Sequence, residues 1–93
     1  MGWEMGEAGV DIDRIVSVVL DAWVEELGHG DFGLEDNFFA VGGHSIRGVR
    51  VMKKVADSLG TRLPPRLLFK NPTVTELAGS IALHLRATPH GSA

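Results

Sequence analysis

Apolar residues recur at spacings of three and four in three separate stretches of this chain, and no stretch alternates with the two-residue period of a strand. That pattern predicts an all-α fold. The first stretch runs from about Asp11 to Leu27, where Ile12, Ile15, Val16, Val19, Trp23 and Leu27 form one stripe. Asp11 and Asp13 suit the positive end of such a helix, and Gly28 supplies a C-terminal cap. The second runs from about Ser45 to Leu59, with Ile46, Val49, Met52, Val55, Ala56 and Leu59 as the expected buried face and Gly60 as the stop. The third begins near Thr73. Thr73 and Glu76 have the spacing of a capping box, Asn71-Pro72 blocks any helix arriving from upstream, and Val74, Leu77, Ala78, Ile81 and Leu85 supply the stripe.

The connections are as informative as the helices. In Leu63-Pro64-Pro65-Arg66-Leu67-Leu68-Phe69 the prolines permit one helical turn from near Pro65, whose apolar residues plug the core. The expected architecture is a small bundle of three main helices plus one short helix. Gly28 to His44 is a stretch of seventeen residues without a helical period. Connections in bundles usually run about 2–8 residues, and longer ones tend to be functional or disordered. Leu34, Phe38, Phe39 and Val41 anchor this one, so it reads as a positioned loop delivering Gly42-Gly43 to the start of the second helix. Residues 1–9 read as a loose lead-in from which Trp3 and Met5 could fold back, residues 10–86 as the domain, and residues 87–93 as a frayed tail.

Composition removes several function classes. With no cysteine among 93 residues, neither a disulfide framework nor a thiolate metal site is available, and any thiol chemistry needs an imported sulfur. His29, His84 and His90 have no ligand spacing, so no metal is expected. The apolar runs are too short to span a membrane and no signal pattern opens the chain, which makes a cytoplasmic protein the expectation. Residues 1–36 hold ten acids and one base, whereas residues 37–93 hold eight bases and two acids. Arg47, Arg50, Lys53 and Lys54 all lie on the second helix with only Asp57 opposing them. Such a helix raises the alternative of a nucleic-acid-binding domain. The acidic total and the long connection before that helix weigh against it, and no nucleic-acid partner is expected.

Gly42-Gly43-His44-Ser45 is the one cluster that suggests chemistry. Two glycines allow unusual dihedrals and close approach, and Ser45 follows where helix N–H groups favour an anion. On local physics alone, a glycine turn followed by an ordinary serine cap is the plainer reading. Adjacent residues rarely set imidazole against hydroxyl productively, and Arg47 stands where a nucleophile elbow needs its second glycine. Self-contained hydrolysis by His44 and Ser45 is therefore not expected.

The wider run Asp36-Asn37-Phe38-Phe39-Ala40-Val41-Gly42-Gly43-His44-Ser45-Ile46 closely resembles the signature of peptidyl carrier proteins, the thiolation domains of nonribosomal peptide synthetases and relatives of acyl carrier proteins. The resemblance covers roughly Ile12 to Leu85 and includes the later Leu67-Leu68-Phe69-Lys70-Asn71-Pro72-Thr73-Val74-Thr75-Glu76-Leu77-Ala78 segment. It implies an acyl-carrier-like bundle that is not itself an enzyme. Ser45 would receive 4′-phosphopantetheine from coenzyme A, its hydroxyl attacking the coenzyme's diphosphate in a phosphopantetheinyl transferase and ending as a phosphodiester. Gly42, Gly43 and His44 would frame that attachment. The thiol of the arm would then hold an aminoacyl, peptidyl or aryl group as a thioester, which fits the missing cysteine.

The same resemblance implies a monomer working with a transferase, an adenylation enzyme and condensation or tailoring enzymes. Val41, Ile46, Arg47, Arg50 and Phe69 are the expected partner-facing residues, although core packing is the first expectation for Phe69. Ile46 stands where the family usually has leucine, a change expected to preserve burial. Gly48 interrupts the second helix at a cost of about 1 kcal/mol relative to alanine, either to admit a partner or incidentally. A basic second helix argues against the partners of fatty acid synthesis. An acyl or aryl carrier of a polyketide or hybrid pathway, or an unmodified adapter with a carrier fold, are the alternatives. The chain begins at Met1 and ends soon after its last helix, which favours a free-standing carrier as the expectation.

Overall fold

The computed structural model describes residues 11–87; the expectations for residues 1–9, including Trp3 and Met5, and for residues 88–93 lie outside them. Four helices follow one another: α1 (Ile12–Leu27), α2 (Ser45–Leu59), α3 (Arg66–Lys70) and α4 (Val74–Ala87). No strand occurs among the described residues, and none of their helices is long and apolar enough to cross a membrane.

The ends of the helices form as local chemistry dictates. The Asp11 carboxylate accepts from the N–H groups of Asp13 at 3.1 Å and Arg14 at 3.3 Å, satisfying donors that the first turn leaves open. Gly28 and Gly60 close α1 and α2, their N–H groups returning to Val24 and to Ala56 and Asp57. At α4 the Thr73 hydroxyl accepts from the Glu76 N–H at 3.1 Å, as the capping spacing predicted.

α1 and α2 run antiparallel and are tied at both ends. Arg14 donates to the Ser58 carbonyl at one end, and Arg47 to the Glu26 carbonyl at the other. α4 packs along α1, and α3 bridges α2 and α4. Between them lies a core that includes Ile15, Val19, Trp23, Phe38, Val51, Met52, Val55, Leu68, Leu77 and Ile81. Trp23 is its centre, with Phe38 edge-on at 5.0 Å and Phe32 tilted at 5.4 Å. Such aromatic pairs add roughly 0.5–1.5 kcal/mol each beyond the area they bury. The Trp23 indole N–H is buried with no acceptor among the described residues, a cost that this packing offsets.

Two expected faces need correction. On α1 the buried stripe begins at Ile15 rather than Ile12, which is exposed, and it includes Ala22. On α2 the buried residues are Gly48, Val51, Met52 and Val55, while Ile46 and Val49 are 61% and 46% exposed. Residues 48, 51, 52 and 55 are themselves a stripe at spacings of three and four, but its head is a glycine and carries no apolar signal. Gly48 is there because α3 comes so close. A Cβ at that position would meet Leu68 Cδ2 at 3.1 Å and Phe69 Cε1 at 3.2 Å, tighter than most side-chain contacts. The close approach that this glycine permits is thus made by the chain's own short helix.

The loop between α1 and α2 is held by fewer apolar anchors than expected and by more backbone bonds. Phe38 is fully buried, Phe32 and Val41 pack partly against the core, and Leu34 and Phe39 are exposed. The Phe38 N–H donates to the Pro72 carbonyl at 2.7 Å, and the Thr75 N–H to the Leu34 carbonyl at 3.2 Å. The Thr75 hydroxyl adds a 2.7 Å bond to the Glu35 carboxylate. The loop is laced to the start of α4, and that lacing fixes where its last turn ends.

Candidate functional site

That last turn is built around Phe38. The Asn37 carbonyl accepts from the N–H groups of Ala40 at 2.9 Å and Val41 at 3.2 Å, and the Phe38 carbonyl from Gly43 at 2.9 Å. Gly42 follows with φ of 115°, a conformation costly for any residue with a side chain. Gly43 lies against the face of the Phe38 ring so closely that a Cβ would overlap its Cδ2, Cε2 and Cζ atoms. The GlyGly pair therefore has two separate causes, a backbone angle at the first residue and an aromatic ring at the second. His44 is extended, and Ser45 opens α2 with its side chain at the surface.

No side chain caps α2, and its first turn carries no acid. An anion on Ser45 would meet the positive end of a 15-residue helix with nothing competing for its N–H groups, worth roughly 0.3–1 kcal/mol at an exposed site. An exposed hydroxyl, a helix start uncapped by any side chain and a turn without bulk fit a phosphodiester linked through Ser45.

Two side chains hold this corner. The Asp31 N–H donates to His29 Nδ1 at 3.0 Å, which places the ring proton on Nε2, and Nε2 then donates to the Val41 carbonyl at 2.8 Å. Arg47 reaches from α2 to the last carbonyls of α1, donating to Glu26 at 2.8 Å and Leu27 at 3.5 Å. Its Nε also donates to His44 Nε2 at 3.1 Å, so that imidazole nitrogen already accepts a hydrogen bond from Arg47. Arg47, expected to face partners, thus spends its guanidinium within the chain, where a cation suits the negative end of α1.

The basic stripe on α2 is likewise offset from within. Lys54 sits 2.8 Å from Glu25 and 3.7 Å from Glu26, Arg50 3.9 Å from Glu26, and Lys53 3.4 Å from Asp57. Hydrogen bonding to Glu25, aided by the charges of Glu25 and Glu26, holds the Lys54 ammonium above the usual lysine range. Acids at the end of α1 answer Arg50 and Lys54, and Asp57 of α2 itself answers Lys53.

Around Ser45 the surface is apolar instead. Ile46 and Val49 are exposed, Val41 is half-buried, and Phe69 is 39% exposed with its ring stacked on Phe39 at 5.8 Å and 17°. Phe69 is therefore not the core plug that its sequence position suggested; Leu68 is. Phe39, expected as a loop anchor, is half of this surface pair. Neither the pairing nor the His29 bond carries a sequence signal, because each depends on how far the loop folds back.

The comparisons with known proteins agree with this geometry. The model of the family described as "Phosphopantetheine attachment site" matches residues 17–81. Tyrocidine synthase 3 of Brevibacillus parabrevis is 43% identical over 60 residues, 64% of this chain and 1% of that protein. Phosphinothricin tripeptide synthetase PhsC of Streptomyces viridochromogenes is 39% identical over 71 residues, 76% of this chain and 6% of that protein. This chain thus spans only a few per cent of the curated relatives it matches. Among solved structures, a chain of the phosphopantetheine transferase Sfp in complex with coenzyme A and a peptidyl carrier protein matches with TM-score 0.67 and 33% identity, over 74% of this chain and 90% of that one. BlmI, a type-II acyl carrier protein from Streptomyces verticillus, shares the fold with TM-score 0.74 at 24% identity, over 80% of this chain and 89% of that one. The chain belongs to the phosphopantetheine-attachment family, and within it is a non-catalytic carrier domain of the peptidyl carrier type.

Proposed function

We propose that Ser45 bears the 4′-phosphopantetheine arm and that the domain presents aminoacyl or peptidyl thioesters to the enzymes of a nonribosomal peptide assembly line. The observation that carries this reading is the exposed Ser45 hydroxyl at a helix start uncapped by any side chain, held against the core through Gly43 and Phe38. When bound, the arm supplies the thiol on which the acyl group is activated and carried. The chain's own residues supply placement. Gly42 supplies the left-handed turn and Gly43 the close contact with Phe38 that lead the chain into Ser45, and the first turn of α2 stabilises the negative charge of the linkage. His44 does not supply a base, since its Nε2 accepts from Arg47, so the proton of the Ser45 hydroxyl leaves to the modifying enzyme.

The apolar surface of Val41, Ile46, Val49 and the Phe39–Phe69 pair is the proposed docking face for the transferase, adenylation and condensation or tailoring enzymes. Its support is exposure beside Ser45 of residues that would otherwise be buried. Arg50, more exposed than its Glu26 partner, is the charged residue proposed to meet partners beside that face. A cytoplasmic location belongs to the same reading. The test has two arms run on separate samples. One is transfer of a fluorescent group from thiol-labelled coenzyme A by a broad-specificity phosphopantetheinyl transferase. The other is transfer from unlabelled coenzyme A, which leaves the thiol free, followed by challenge with amino acids, aryl acids and ATP in the presence of candidate adenylation enzymes. Labelling of wild type but not Ser45→Ala, with amino acid loading, supports the proposal. Labelling of both would move the attachment point elsewhere, and loading restricted to aryl or polyketide acyl groups would favour the alternative pathways.

A further inference from the structure

The bond between His29 and the Val41 carbonyl joins the two ends of the long loop. His29 follows the left-handed Gly28 that ends α1, and Val41 precedes the left-handed Gly42 that leads into Ser45. The Val41 carbonyl belongs to the peptide unit between Val41 and Gly42, one side of which is a glycine that tolerates either sign of φ. Rotation of that unit would cost little backbone energy, yet it would turn over the Val41 carbonyl and the Gly42 N–H beside the chain entering His44 and Ser45. A donor fixed in space opposite the carbonyl selects one orientation. His29 is such a donor. Its Nδ1 is held by the Asp31 N–H at 3.0 Å, its Nε2 is 2.8 Å from the carbonyl oxygen, and Phe32 lies edge-on to the ring at 6.1 Å. Phe32 in turn rests on the buried Trp23.

We propose that His29 is a positioning residue for Ser45, setting the Val41–Gly42 peptide in the orientation in which the serine is modified. This rests on the carrier reading of Ser45. The transferase then binds a loop already in its competent form. Without the donor, it must select that form from a mixture, and the apparent affinity falls with the competent fraction.

Two substitutions separate the halves of the imidazole. His29→Gln keeps a donor near the Nε2 position and loses the acceptor for Asp31, whereas His29→Asn keeps the acceptor and loses the donor to Val41. The experiment measures kcat and KM for phosphopantetheinyl transfer from coenzyme A against carrier concentration for wild type and both variants. Relaxation dispersion at the Gly42 and Gly43 amides of the unmodified proteins accompanies it. If the competent fraction drops to roughly one tenth, His29→Asn raises the KM about tenfold with kcat nearly unchanged. It also shows millisecond exchange at Gly42, while His29→Gln stays close to wild type on both readouts. A purely structural histidine would weaken both variants alike, and equal behaviour of the two, or wild-type KM in His29→Asn, overturns the proposal. A wild type that accepts no phosphopantetheine at all would instead overturn the carrier reading of Ser45.

Discussion

The Phe38 ring occupies the space that a side chain on Gly43 would need. One contact thereby links the most buried residue of the loop to the backbone two residues before Ser45. It also accounts for a glycine that backbone angle alone does not require, since the left-handed angle of this pair belongs to Gly42.

Gly43→Ala should therefore destabilise the domain by about 1–3 kcal/mol, the usual cost of forcing extra volume into a packed site. Urea denaturation followed by circular dichroism checks this. A neutral result would mean that the loop yields easily and does not position Ser45.

Phe38→Ala removes the other half of the contact and should cost about 3–5 kcal/mol. That is a large share of what a domain of this size has, at roughly 0.05–0.15 kcal/mol per residue. Phe38→Leu should retain most of the fold. Comparing the two by thermal melting separates loss of volume from loss of the aromatic contact with Trp23.

Gly48 offers a test in the opposite sense. Alanine in a helix interior gains about 1 kcal/mol over glycine. Here the added methyl would press on Leu68 and Phe69, so Gly48→Ala should fail to raise the melting temperature. The displacement should appear as chemical-shift changes in the Phe39 and Phe69 rings. A full helix-propensity gain without those changes would show that α3 is not held against α2 as described.

Arg47 and Arg50 separate architecture from surface. Arg47→Ala loses charged hydrogen bonds to the end of α1 and should cost about 1–2 kcal/mol. Arg50→Ala, whose ion pair is long and exposed on the arginine side, should stay within about 0.5 kcal/mol of wild type. Chemical denaturation of the two variants in parallel checks the contrast.

The Lys54 cluster carries a pH signature of known sign. Its ammonium is held above the ordinary value of 10.5, chiefly by the hydrogen bond it donates to Glu25. The stabilisation is fully present below that ordinary value and is lost as pH rises through the raised one. The stability difference between wild type and Lys54→Met should thus be flat between about pH 6 and 9, and should close only in strong alkali. Added salt should shrink it at every pH, because the pair is exposed.

Much of this was legible before any coordinates. Asp11, Thr73 and Gly60 mark helix ends through chemistry confined to neighbouring residues, and they are where local rules place them. The motif around Ser45 was equally plain, because its glycines and serine are contiguous. What escaped were relations between distant segments. On α2 Met52 and Val55 are buried as their spacing indicates, but the start of the face lies at Gly48 and Val51 instead of Ile46 and Val49, because Gly48 has no side chain to count. The apolar residues of α3 are all candidates for the core, yet only Leu68 is buried and Phe69 is not, and a five-residue helix gives no second turn from which to read the facing side. The basic stripe on α2 looked available to partners until Glu25 and Glu26 were seen across from it. His29 looked incidental because its partner lies twelve residues away along an irregular path.

The most direct measurement for the central claim is intact-protein mass spectrometry, with peptide mapping, after incubation with coenzyme A and an active phosphopantetheinyl transferase. The expected result is a single phosphopantetheine mass gain that maps to Ser45 in wild type, and no gain in a folded Ser45→Ala variant. An unchanged mass for folded wild-type protein beside a working control carrier, or a gain that maps to another residue, would contradict it.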